Sequence, residues 1–174
     1  MPKNADTILA LDPGTRDLGY AVIRGKRLVA ASVLPLRHVA RKRRLGAVRE
    51  ALLAWMRAYH PRTLVLEHIP KRPLDNLAGL PALGRLLRRM AAARRLAVVT
   101  YSARTVRGNL VGNGWAEKRE VAKALAARFP ELRVHLTHDR KWKERYWQNM
   151  FDAVALAIHH QLVTKPPSRS RRSG

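Results

Sequence analysis

Cysteine is absent from the 174 residues. Its absence removes disulfides and thiolate metal sites together, so any metal must be held by oxygen or imidazole nitrogen. Long apolar runs are also missing: none approaches the roughly 20 residues that a helix needs to span a bilayer. Met1 to Asp6 is polar and has no signal-peptide core, so the chain is expected to stay in the cytoplasm, associated with the nucleoid. Aromatic residues make up only 6% of the chain, and the seven histidines form no HExxH or comparable zinc pattern. Acidic residues are the scarcest charge. Twelve Asp and Glu stand against 35 Lys and Arg, for a net charge of +23.

What is present follows from that imbalance. An excess this large goes well past the needs of solubility and points to a polyanionic partner, nucleic acid first, with an RNA-rich assembly or an anionic membrane surface behind it. Apolar residues at 47% argue against wholesale disorder, and the length suits one domain with a real core. That domain is expected over residues 1–164. Residues 165–174 carry four basic residues, two prolines and three serines, and read as a disordered basic tail.

The apolar pattern predicts strands at Thr7–Leu11, Tyr20–Ile23 and Leu28–Leu34, the last two joined by a tight hairpin at Gly25-Lys26. A helix is expected from Arg43 to Tyr59, a strand at Thr63–Glu67, a helix ending near Arg95 and a strand at Leu96–Tyr101. Asn109–Gly114 reads as a glycine-rich loop. Helices follow at Ala116–Phe129 and Glu144–Leu162, with Glu131–Thr137 short and irregular. Three hairpin-linked strands followed by alternating helices and strands imply an α/β fold, a mixed five-stranded sheet flanked by helices.

With so few carboxylates, their positions carry information. Asp12 and Glu67 directly follow apolar strand runs, where a side chain can project into a cleft at the sheet edge. Asp152 sits among Met150, Phe151, Ala153, Val154, Ala155 and Leu156, and a lone carboxylate there is costly unless it is paired or binds a metal. Converging carboxylates repel, and a hard cation such as Mg²⁺ relieves the repulsion. Two such ions about 3.5–4 Å apart activate water and stabilise the leaving oxygen of a phosphodiester. Simpler roles stand beside this one. Asp12 before Pro13-Gly14 can shape a turn, Glu67 can sit at a surface strand end, and Asp152 can pair with Arg145 or His159.

Ile8-Leu9-Ala10-Leu11-Asp12-Pro13-Gly14-Thr15 through Gly19-Tyr20-Ala21 resembles the opening of RuvC-type Holliday junction resolvases, members of the RNase H-like superfamily. Leu64-Val65-Leu66-Glu67 is similar to the second catalytic strand of that family. Val106-Arg107-Gly108-Asn109 through Gly114-Trp115-Ala116-Glu117-Lys118 resembles its basic loop and helix start, and Asp152-Ala153-Val154-Ala155-Leu156-Ala157-Ile158-His159-His160 its C-terminal helix motif. Four blocks in order over Ile8 to His160 are specific where Asp-Pro-Gly alone is common.

The resemblance implies an RNase H-like fold and a homodimer. It implies Mg²⁺ or Mn²⁺ dependence with two ions per site, paired nicking of four-way DNA junctions, and a branch-migration helicase as partner. Asp12, Glu67 and Asp152 become catalytic metal ligands; Arg107, Asn109 and Lys118, inside the family-like block, are the expected DNA ligands, joined by Arg72 and Arg104 from the basic surface. A two-fold enzyme places two active sites on two like strands of a two-fold substrate.

Two departures stand out. Where the family usually has a fourth acidic residue (in some members a histidine), three positions before the last Asp, this chain has Asn149. Asn149 shares a helix face with Asp152 at i, i+3 spacing and offers a neutral, weaker fourth ligand. It is natural to this branch, or an inactivating change, or the mark of a protein that binds junctions with little cleavage. Asp139 and Glu144 lie nearby without the right helical offset. After Glu67, where the family often places a wedge residue that opens the junction, the run is His68-Ile69-Pro70-Lys71-Arg72. Ile69 is the candidate apolar wedge, with loop packing as its alternative.

Elsewhere, Arg41-Lys42-Arg43-Arg44 and the arginines around the second helix extend the basic surface. Gly108, Gly112 and Gly114 would let backbone amides approach phosphates. Trp142, Tyr146, Trp147 and Phe151 fit a packed helix face better than base stacking. His68 either touches the scissile phosphate or is structural. The alternative functions are an RNase H-like ribonuclease or RNA-processing nuclease and a non-catalytic junction-binding protein.

Overall fold

The computed structural model describes residues 6–14, 16–68, 79–136 and 141–164, the side chains of the last segment from residue 146 onward. Ile69, Lys71, Arg72, Asp139, the side chains of Trp142, Glu144 and Arg145, and the expected tail at 165–174 lie outside them.

Five strands form one sheet in the order β3-β2-β1-β4-β5. They are β1 (Thr7–Pro13), β2 (Asp17–Arg24), β3 (Arg27–Pro35), β4 (Thr63–Glu67) and β5 (Ala97–Tyr101). The first three are antiparallel neighbours, while β4 and β5 run parallel to β1, so the sheet is mixed as the pattern predicts. Helices α1 (Arg44–Tyr59) and α2 (Leu80–Ala93) are the connections that make those parallel pairings possible. α3 (Ala103–Val111), α4 (Lys118–Arg128) and α5 (Lys141–Thr164) complete the chain, with a 3₁₀ segment at Pro130–His135.

The period-two alternation of strand side chains sorts the core into two layers. Leu9, Leu11, Leu18, Val22, Leu64 and Leu66 face α1 and α2. Ile8, Ala10, Ala21, Ile23 and Val65 face the other way, onto α5 and the helices beside it. From Met150 to Gln161 only Asp152 escapes full burial, and this explains the unbroken apolar run: the helix lies between the sheet and α3 and α4. It comes closest at β2. A Cβ at Gly19 would fall 1.8 Å from the carbonyl oxygen of Asn149, so only glycine admits the α5 backbone there.

Two expectations need correction. Asn109–Gly114 is not all loop. α3 runs through Val111 from an N-cap at Ser102, whose hydroxyl accepts the Thr105 N–H at 3.1 Å, and Val106, Leu110 and Val111 turn one apolar face to the core. The stretch after Phe129, expected to be irregular, is a regular 3₁₀ segment. Of the aromatic cluster, Phe151 is buried and Tyr146 and Trp147 pack against the core; Trp147 also lies 4.0 Å from the His135 ring.

Candidate active site

Alternation along the strands dictates where the acidic side chains go. Asp12 continues the Ile8, Ala10 series and Glu67 follows Val65 by two, so both project from the sheet face that carries α5. β1 and β4 are parallel neighbours with Leu11 opposite Leu66. Asp12 and Glu67 are each one residue further on, at the carboxyl ends of adjacent central strands, the edge at which open α/β sheets bind ligands. α5 brings Asp152 across the same edge. Glu67, Arg107 and Asp152 line one small cleft with Ala103, Val106, Val121, Ala155 and Leu156.

The three carboxylates feel one another's charge at this edge. Burial pushes the Asp12 carboxyl well above its usual range; the charges of Asp152 and Glu67 add to the effect, and the Lys118 ammonium opposes it. Glu67 is raised by burial and then by Asp152, against the pull of Lys118, the Asp12 carboxyl and Arg107. Asp152 is the most closely partnered of the three. Its Oδ2 accepts from Lys118 Nζ at 3.0 Å and its Oδ1 from Gln148 Nε2 at 2.9 Å. Of the alternative partners considered for it, His159 stacks edge-on against Tyr101, and the Arg145 side chain lies outside the described residues.

Asn149 belongs to the same edge but has a different engagement. Its Nδ2 donates to the backbone carbonyl of Asp17 at 3.1 Å, and the Gly14 turn that follows Asp12 packs closely against it. Asp17 in turn forms a doubly hydrogen-bonded pair with Arg37, and Arg37 lies over the Tyr146 ring. α5 is thereby tied to the start of β2, beside the turn that follows Asp12. Sequence reasoning missed Gln148 and the Asp17–Arg37 pair. The first was open to an i, i+4 reading from Asp152; nothing local signalled the second.

Of the basic candidates, Lys118 and Arg107 are brought to the carboxylates. Arg104 and Asn109 are exposed on α3 and do not line the cleft themselves, and Arg72 is not described. His68 donates its backbone N–H to Tyr101 O at 2.8 Å and is exposed.

Three acidic side chains converging from β1, β4 and a buried C-terminal helix on a mixed five-stranded sheet define an RNase H-like fold with an acidic centre. The family model described as crossover junction endodeoxyribonuclease RuvC matches residues 8–160, and the chain belongs to that family. It is 30% identical over 179 residues to the RuvC of Xanthobacter autotrophicus, covering 98% of each. Thermus thermophilus RuvC shares the fold with a TM-score of 0.68 at 22% identity over 89% of this chain and 93% of that one. A structure of the same enzyme with Holliday junction substrate gives 0.73 at 21% identity, over 91% and 94%. Among the described residues no helix is long and apolar enough to cross a membrane.

Proposed function

We propose that this chain is a metal-dependent endonuclease that resolves four-way DNA junctions by paired nicking. The observation that carries the reading is the convergence of Asp12, Glu67 and Asp152 at one sheet edge, with two of them driven above their ordinary proton affinity by burial and by one another. Family membership and the substrate of the structural relative support it.

The donor set suits a hard cation. It consists of carboxylate oxygens whose mutual repulsion a divalent ion relieves, next to an ammonium already drawn in as partial compensation. Among the described residues, no three acidic or histidine side chains already stand around one point as a finished cage, and Lys118 holds Asp152 Oδ2, an oxygen that a cation would compete for. Asp12, Glu67 and Asp152 would hold Mg²⁺ or Mn²⁺, with two ions per site as the family resemblance implies. The Oδ1 of Asn149 would supply a neutral fourth ligand while its Nδ2 keeps the Asp17 carbonyl. Such ions make water a better nucleophile and neutralise the departing 3′ oxygen.

The protein's own groups do the rest. Arg107 lines the cleft beside Glu67 and Asp152 and draws the phosphate in. Lys118, once freed, adds a second phosphate contact. Gln148 keeps the Asp152 carboxylate from rotating. Arg104 and Asn109 on α3 extend the DNA track, and Arg72 is a DNA ligand on the sequence alone. We extend the proposal to a homodimer, because two like cuts across a two-fold junction need two sites; a branch-migration helicase is the partner class that the resemblance implies.

The test is cleavage of a labelled four-way junction in Mg²⁺ or Mn²⁺ by this chain and its Asn149→Asp variant, side by side. Symmetric cutting by both supports the reading. Cutting only by the variant keeps the family role but makes Asn149 an inactivating residue. Binding without cutting by either replaces the enzyme with a junction-binding protein.

A further inference from the structure

Trp115 is 75% exposed, the most exposed of the large apolar side chains described. Single exposed apolar residues are ordinary on protein surfaces, so exposure alone marks nothing. The way this ring is held does. The Arg104 guanidinium lies 4.2 Å from the ring centroid, within cation–π range. The backbone N–H of Trp115 donates to Asn113 Oδ1 at 2.9 Å, fixing the turn from which the ring projects. At Gly114 a Cβ would meet Arg104 Cγ at 3.0 Å and the Arg104 carbonyl oxygen at 3.1 Å. Glycine is therefore what lets the turn seat the tryptophan beside the arginine. On the other side Ala116 is buried, and Lys118, three residues on, reaches Asp152. An aromatic plate is thus presented to solvent, braced from behind, at the rim of the carboxylate site.

Its surroundings name the ligand. Arg104 lies on the ring, Arg107 lines the cleft and Lys118 reaches Asp152, a cationic setting unsuited to an apolar protein or lipid partner and suited to a group that joins a flat π face to a negative charge. A nucleotide does both: the base stacks on the indole, and the arginine meets its phosphate. In continuous duplex each base face is already covered by its neighbours. A free face exists only where strands part, as at a branch point.

We propose that Trp115, backed by Arg104, is a stacking platform for an unpaired nucleobase beside the cleaved phosphate, and that it favours branched DNA over continuous duplex. This inference rests on the junction-nuclease reading above.

The experiment uses the full chain in EDTA with four-way junctions that carry 2-aminopurine at one position at a time around the branch point. A linear duplex serves as competitor. Parent protein should alter the emission at one position, and Trp115→Ala should not. Trp115→Ala should bind the junction about 5- to 100-fold more weakly, with a smaller loss on duplex, and Trp115→Phe should recover most of the affinity. Unchanged emission response and junction affinity in Trp115→Ala overturns the proposal. So does an equal loss on junction and duplex, or a change in oligomeric state at constant junction affinity, which would make Trp115 a protein contact. If the parent protein binds no junction at all, it is the underlying nuclease reading that falls.

Discussion

Asp12 and Glu67 are placed where function wants charge and folding does not. Both carboxyls hold protons more tightly in the folded protein than in the unfolded chain, first through burial and then through neighbouring carboxylates. The metal-free folded state therefore binds more protons than the unfolded one just above the ordinary carboxylate range. Its stability is fully present below that range and falls as pH rises through the raised values of Asp12 and Glu67. Asp12→Asn keeps the shape and removes the conflict. It should raise the melting temperature of the metal-free protein by a few degrees at neutral pH, lose that gain in acid, and abolish metal-dependent cleavage. Thermal melts across pH in EDTA measure the first two. Equal melting temperatures of parent and variant at every pH would mean that the carboxylates are not crowded. Asn149 shows the converse. An aspartate there would turn a carboxylate oxygen toward the Asp17 carbonyl in place of the present N–H donor. Asn149→Asp should cost about 1–3 kcal/mol without metal, and added Mg²⁺ should raise its melting temperature by more than it raises the parent's. The three carboxylates were legible because each stands against an apolar background. The Lys118–Asp152 pair was not: its members are 34 residues apart, and no spacing rule reaches that far.

Between elements, the packing of α5 on β2 decides the geometry of the site. Gly19 is the point at which the α5 backbone touches the sheet, and Asn149, whose carbonyl it meets, is three residues from Asp152. Gly19→Ala should force the helix away. The expected cost is about 3 kcal/mol or more in urea unfolding, with cleavage falling further than stability because Asp152 moves off the strand ends. A variant as stable as the parent would show that α5 rests elsewhere. The strands and long helices could be read in advance because burial marks the sequence: short apolar runs for β1 and β2, which are buried on both faces, and a nearly solid apolar run for α5. α3 escaped because its apolar face, Val106 with Leu110 and Val111, is interrupted by Gly108 and runs into Gly112 and Gly114, so glycines that read as a loop sit inside and just past a short helix capped by Ser102.

Over the whole molecule, charge governs how DNA is met. Thirty-five basic residues against twelve acidic ones cannot all lie at one cleft, so most of the electrostatic attraction must be nonspecific, with counterions released along the DNA arms. Selectivity for a branched substrate then has to come from groups at the carboxylate edge, and the two contributions separate by salt. Junction and duplex affinities should both fall steeply, by about a thousand-fold or more between 50 and 200 mM salt, whereas their ratio should hold nearly constant. Replacing Arg41, Lys42 and Arg43, which lie away from the acidic centre on the approach to α1, with glutamine should flatten both salt slopes without changing that ratio. Arg107→Gln should weaken the junction more than the duplex and slow cleavage, because Arg107 lines the cleft with Glu67 and Asp152. Binding isotherms at four salt concentrations on both DNAs decide the matter. If Arg107→Gln shifts the two affinities equally, Arg107 is one more member of the general positive field, and discrimination must arise from other groups at the edge.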